Sequence, residues 1–194
     1  MHDILQKVRS LIQQDIQLFK FARKSINVIK KCSMCSWCCH NNVIFLTIPE
    51  AIRILAFTKA DIKKIFEIKH YIRLKQRKRK CVFLRNGKCA IYDVRPFQCM
   101  TYPIIFNPLV FMKKEKVEIA HENDTFLFTC APPNVSKKCT LSVNTDLFNA
   151  ISLVRLQFLQ RNYEVLATLL RKNMLRSVLI SLAKKYPLHE FKEV

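Results

Sequence analysis

Three observations predict an α+β fold. Apolar residues recur at three- and four-residue spacing near both ends, short β-branched and aromatic segments flank the chain's single glycine, and nine cysteines crowd the region between the ends. The expected architecture is a small cysteine-rich domain with short strands and a hairpin, flanked by N- and C-terminal helices. Its expected divisions are a helical segment 1–31, the cysteine domain 32–140 and a helical segment 141–194, packed as one compact unit. With 194 residues, half of them apolar, the chain can bury one substantial core.

Leu5, Val8, Ile12, Ile16, Phe19, Ala22, Ile26 and Ile29 predict an amphipathic helix, or a broken pair, that delivers the chain to Cys32. Val43-Ile44-Phe45-Leu46 reads as a strand. Thr47-x-x-Glu50 is a capping box and Thr58-x-x-Asp61 a near variant, opening helices over about 48–57 and 59–74. Cys81-Val82-Phe83-Leu84 and Cys89-Ala90-Ile91-Tyr92 flank Arg85-Asn86-Gly87-Lys88, whose Asn-Gly is the strongest hairpin signal and puts the glycine where φ must be positive. Such a hairpin brings Cys81 and Cys89 together across its strands, and the Arg95-Pro96 turn returns Cys99 toward them. Residues 104–119 read as one or two strands broken near Asn107-Pro108, and 145–185 as helix broken near Asn162 or Asn173. No internal repeat or low-complexity linker is read.

Cys32-Ser-Met-Cys35-Ser-Trp-Cys38-Cys39 carries the chemistry, followed by Cys81, Cys89, Cys99, Cys130 and Cys139. Disulfides need an oxidising compartment, and residues 1–31 alternate apolar with charged residues, with no apolar segment or cleavage site of the secretory kind. Two thiolates two residues apart can instead turn onto one ion at about 2.3 Å. Adjacent Cys38 and Cys39 project in different directions and suit two centres, or one centre and a reactive thiol. Spacing excludes the bacterial ferredoxin run, zinc fingers and ribbons and the radical adenosylmethionine motif, and a lone thioredoxin-type pair would leave the other cysteines unexplained.

This pattern resembles the YkgJ-type CxxCxxCC-domain family, described as zinc- or iron-chelating. The resemblance rests on Cys32, Cys35, Cys38 and Cys39, on Cys81-Val-Phe83-Leu84, on Cys89-Ala-Ile91-Tyr92-Asp-Val-Arg95-Pro96-Phe-Gln-Cys99, and on Tyr102-Pro103. It covers about residues 32–132. Met100, Ser36 and Cys130-Ala131-Pro132 depart from the family's usual arginine, glycine and Cys-Pro-Gly. The resemblance implies metal ligation by Cys32, Cys35, Cys38, Cys39, Cys81, Cys89, Cys99 and Cys130. Cys139 has no counterpart and reads as a spare buried thiol.

Eight thiols make two four-thiolate sites, suited to zinc or to iron-sulfur clusters; the doublet and long spacings lean toward iron-sulfur. Arg95, beside the thiolates, is a candidate to offset cluster charge and donate hydrogen bonds to sulfur, or else a turn arginine on a carbonyl. His40 abuts the cluster, whereas His2, His70, His121 and His189 read as surface or helix residues.

The formal charge of +20 attracts polyanions such as nucleic acid or an acidic membrane surface. Its densest patch, Lys75-Gln-Arg77-Lys78-Arg79-Lys80, reads either as a phosphate-binding run or as the solvated C-terminal end of the 59–74 helix. No run approaches eighteen apolar residues, and the protein is expected in the cytoplasm with its thiols reduced. One glycine in a turn cannot supply a Rossmann nucleotide loop, and no serine triad or carboxylate pair is identified. Three roles stay open: a metal or cluster binder in redox, sensing or trafficking; a cluster-dependent modifying enzyme, given the cysteine domain's similarity to part of flagellin lysine methylases; and a basic nucleic-acid adaptor stapled by zinc.

Overall fold

The structure is a computed structural model that describes residues 2–25, 39–40, 42–101, 117–122, 125–130, 139–186 and 188–191. Helices and small antiparallel sheets are mixed, with helices flanking the strands on both sides in sequence, as the α+β reading expected. Cys32, Cys35, Cys38 and the stretch 104–116 lie outside the described residues.

Helix α1 (His2–Ser25) buries Val8, Ile12, Ile16 and Phe19 of the expected stripe and adds Ile4, Leu11 and Leu18, while Leu5 is half-buried; Ile26 and Ile29 fall outside the described residues. The 43–46 strand reduces to β1 (Phe45–Leu46). Helix α2 (Ile48–Thr58) starts from the expected capping box: Thr47 Oγ1 accepts from Glu50 N–H at 3.4 Å, and Thr47 N–H donates to Glu50 Oε2 at 2.7 Å. Its first eight residues are all buried, so this is a core helix.

The predicted 59–74 helix does not form. Lys59, at φ 51°, closes α2 in the left-handed region, and Thr58 Oγ1 donates to Ile54 O, finishing a helix rather than opening one. Asp61 caps a single turn, α3 (Ile62–Ile65), followed by β2 (Phe66–Ile68) and β3 (Ile72–Leu74). Here period two governs: Ile72 and Leu74 are buried around half-buried Arg73, which pairs across the strands with Glu67 at 2.9 Å. With β1 these strands form a sheet of order β1-β3-β2.

Next come two minimal hairpins, β4 (Gln76–Arg77) with β5 (Lys80–Cys81), and β6 (Leu84–Arg85) with β7 (Lys88–Cys89). The Asn86-Gly87 turn is where the sequence places it, at φ 48° and 74°, and a Cβ on Gly87 would meet nothing within 4 Å. The strand partners differ from expectation. Cys89 faces Leu84, and Cys81 belongs to the preceding hairpin opposite Gln76. That first hairpin turns through Lys78 and Arg79, at φ 50° and 63°, where residues bearing a Cβ cost about 1–2 kcal/mol each.

A 3-10 turn (Tyr92–Val94) leads to the short helix α4 (Phe97–Met100). Strands β8 (Val117–Glu122), β9 (Thr125–Cys130) and β10 (Cys139–Asn144) make an antiparallel sheet of order β10-β9-β8. Helix α5 (Thr145–Arg171) is capped by Asn144 and followed by α6 (Leu175–Ala183). The break falls at Asn173, at φ 51°, one of the two expected places. Asn162 stays in the helix, buried, where its Oδ1 accepts the Ile48 N–H at 2.8 Å. The buried apolar residues of the helices, the first sheet and residues 83–100 form one cluster.

Buried charges tie these elements together. Asp15 of α1 pairs with Arg53 of α2, and Glu50 of α2 pairs with Arg155 of α5 at 3.3 Å. Glu50 and Arg53 are fully buried, Asp15 and Arg155 nearly so. Arg53 also lies 4.9 Å over the Phe19 ring, and Arg155 4.6 Å over that of Phe97.

Candidate metal centre

Cys39, Cys81, Cys89 and Cys99 are thiols that line one cavity of about 220 Å³. Each arrives on a different piece of chain. Cys39 ends the first motif, Cys81 closes the Lys78-Arg79 hairpin, Cys89 closes the Asn86-Gly87 hairpin, and Cys99 stands in α4. The hairpins extend at their bases through Val82 N–H to Lys75 O at 3.1 Å and Ala90 N–H to Phe83 O at 2.9 Å. Ile44, Leu74, Ile91 and Pro96 wall the cavity and are buried.

Helix α2 fixes the segment carrying Cys99. Arg53 donates to the carbonyls of Val94 and Arg95 at 3.4 and 3.3 Å, and Glu50 Oε1 accepts the Phe97 N–H at 2.8 Å. Every donor and acceptor in this clamp is buried or part-buried, where such charge-assisted bonds are strongest. Burial works to raise the Glu50 carboxyl, but Arg155, Arg53 and the N–H groups of Thr47 and Phe97 outweigh it and hold the group below the ordinary range. At Asp15 burial prevails over the pull of Arg53 and pushes the carboxyl up to about 6.

The thiols feel both burial and one another. Burial, helped by Cys39 and Cys89, pushes Cys81 up to about 11. Cys99 stands well above the ordinary thiol range from burial first and then from Cys81, Cys39 and Cys89. Four soft donors in an apolar pocket are costly to ionise alone and natural partners for a cation that prefers sulfur. Among the described residues, however, no three His, Cys, Asp or Glu side chains are grouped so that they could hold a metal ion. The donor chemistry fits zinc or iron-sulfur, with the thiols lining a common space.

Four of the eight expected ligands, Cys39, Cys81, Cys89 and Cys99, are thus brought to one cavity. Of Cys130 the structure describes the backbone, whose register partner on β10 is Cys139. Arg95 lines the cavity as its position suggests, with its guanidinium 4.1 Å over the Tyr92 ring and its carbonyl held by Arg53. His40 is half-buried beside Cys39. Sequence reasoning placed Glu50 only in its capping box and assigned Asp15, Arg53 and Arg155 no role as supports. The available signal was a pair of opposite charges three residues apart in the apolar run Ile48-Pro-Glu50-Ala-Ile-Arg53-Ile-Leu55.

Among the described residues, no helix is long and apolar enough to cross a membrane. No solved structure matches the chain. Residues 31–131, just over half of it and spanning the cysteines from Cys32 to Cys130, match the CxxCxxCC family, whose description reads "Putative zinc- or iron-chelating domain". With the cysteine pattern and the thiol-lined cavity falling inside that match, the chain belongs to the CxxCxxCC family.

Proposed function

We propose that the protein holds an iron-sulfur centre on Cys39, Cys81, Cys89 and Cys99, and a second thiolate site on Cys32, Cys35, Cys38 and Cys130, serving redox, sensing or metal trafficking in the cytoplasm. The observation that carries this is the convergence of four cysteines from four chain segments on one apolar-walled cavity. Splitting Cys38 and Cys39 between two centres suits a doublet whose side chains cannot easily share one tetrahedron.

When bound, such a cluster supplies one-electron chemistry tuned by surrounding hydrogen bonds and burial. The chain's own contribution is position and environment. Glu50 and Arg53 hold residues 94–97, and through them Cys99, while Arg95 sets a positive charge at the cavity wall against thiolate charge. Helical segments 1–31 and 141–194 brace the 32–140 domain in this reading.

The test is anaerobic purification followed by iron, zinc and acid-labile sulfide analysis and an absorption spectrum. The expected result is roughly four irons per cluster with matching sulfide. Stoichiometric zinc without sulfide would replace the cluster with a zinc-thiolate site, and the absence of any thiolate-bound metal would end the proposal.

A further inference from the structure

The two hairpins are one repeated unit. Arg77-Lys-Arg-Lys80-Cys81 and Arg85-Asn-Gly-Lys88-Cys89 share the pattern Arg-x-x-Lys-Cys at a spacing of eight residues, each wrapped around a two-residue turn with both φ values positive. The sequence reading saw no repeat because only the second copy carries recognisable turn residues. In each unit the arginine and lysine are register partners, Arg77 with Lys80 and Arg85 with Lys88. Register partners share a face of the ribbon, and neighbours along a strand take opposite faces. Both cysteines line the cavity, and Arg77, Lys80 and Arg85 lie outside its lining, whereas Lys88, though exposed, lines it as well.

This arrangement opposes its own stability. Like charges directly opposite repel, and Lys78 and Arg79 occupy a turn that Asn-Gly would fill without strain. Arg77, Lys78, Arg79, Lys80, Arg85 and Lys88 are all exposed, and among the described residues none of them forms a salt bridge. The helix end that would have explained the basic run does not exist. The base of the first hairpin is nevertheless held firmly, by Gln76 Nε2 to Asn42 O at 2.8 Å and Lys75 Nζ to Lys63 O at 2.6 Å.

We propose that these two tandem hairpins form a docking surface for the phosphodiester backbone of a nucleic acid, with Arg77, Lys80, Arg85 and Lys88 as paired phosphate contacts and Lys78 and Arg79 at the tip. Two-residue strands are too short to read base edges, so recognition is of the backbone and independent of sequence. A membrane surface fits less well, because no large apolar side chain is exposed between 75 and 90 to enter the interface.

The test uses the full-length, anaerobically purified protein with a labelled single strand and a duplex of about 20 nucleotides, across roughly 0.05 to 0.3 M salt. Replacing Arg77, Lys80, Arg85 and Lys88 by Gln should flatten the log-log salt slope by about 3, at roughly 0.7–0.9 per lost contact. A charge-matched variant with Arg171, Lys172, Arg176 and Lys184 replaced by Gln should change the slope little. A second variant, Lys78→Asn with Arg79→Gly, installs the turn of the neighbouring hairpin; it should melt at or above the wild-type temperature while binding several-fold more weakly. That variant decides the matter if the fourfold variant does not fold. Equal loss in the charge-matched variant, unchanged affinity in the Asn-Gly variant, or binding to phosphatidylserine vesicles or poly-glutamate but not to oligonucleotides would overturn the proposal.

Discussion

Glu50 Oε1 accepts the backbone N–H of Phe97 at 2.8 Å, so a carboxylate in the core helix fixes the first residue of the turn that carries Cys99. The same oxygen receives Arg155 from the long C-terminal helix at 3.3 Å. Changing Glu50→Gln keeps an acceptor near Phe97 but leaves Arg155 without its counter-charge. We expect a loss of about 3–5 kcal/mol in denaturant unfolding, because one member of a buried pair is stranded. Metal content should fall with it, and a variant of wild-type stability would show that the pair is not coupled to the fold.

The two buried carboxylates should give opposite pH signatures. Asp15 rises from an ordinary 3.8 to about 6 on folding, so its contribution is fully present below about pH 4 and is lost as pH climbs through 6. Glu50 is lowered from 4.5, so its contribution is present above that value and is lost on acidification. Between about pH 4 and 7 the wild type should therefore lose stability relative to Asp15→Asn. Relative to Glu50→Gln it should lose stability below about pH 4.5. Unfolding midpoints measured across this range check both signs.

Asn162 supplies the acceptor for Ile48 N–H at the start of the core helix. Asn162→Ala should cost about 1–3 kcal/mol, the penalty of a buried donor left unmet. Asn162→Asp should recover part of it by restoring an oxygen. Thermal or urea unfolding of the two variants side by side distinguishes a lost hydrogen bond from a simple packing defect.

Serine at Cys35 or at Cys89 should each remove one whole site's worth of metal and destabilise the fold, since metal binding and folding are coupled at about 10 kcal/mol or more in zinc peptides. Cys139→Ala should leave stoichiometry unchanged, although Cys139 is the register partner of Cys130. Elemental analysis of the three purified variants tests this, and loss of metal in Cys139→Ala would reassign the C-terminal ligand.

What could be read in the sequence was whatever is signalled locally. The Thr47-Glu50 capping box, the Asn86-Gly87 turn, the α1 stripe and the Asn173 break each lie within a few neighbouring residues, and each has its physical cause there. The stretch 59–74 misled because Ile62, Ile65 and Phe66 fit helical spacing while Phe66 with Ile68 and Ile72 with Leu74 fit alternation, and the choice was made by pairing with Phe45–Leu46 far upstream. Strands 125–130 and 139–144 went unread despite Thr125-Phe-Leu-Phe-Thr, which is rich in β-formers. The cysteines announced a common site through spacing. The clamp on Cys99 did not, because Asp15 and Arg155 reach it from 38 and 105 residues away.

Seen as an exchange of counter-ions, the buried pairs run crosswise over the borders of the family region. Within residues 31–131, Glu50 and Arg53 are fully enclosed, yet the cation for one and the anion for the other, Arg155 and Asp15, both lie outside it. The thiol-bearing region is therefore not electrically self-sufficient: if excised, it keeps one charge of each sign in its interior with neither outside partner. Direct pairing of these core charges is thus a property of the whole chain, since both outside partners stand on helices that contribute no sulfur ligand.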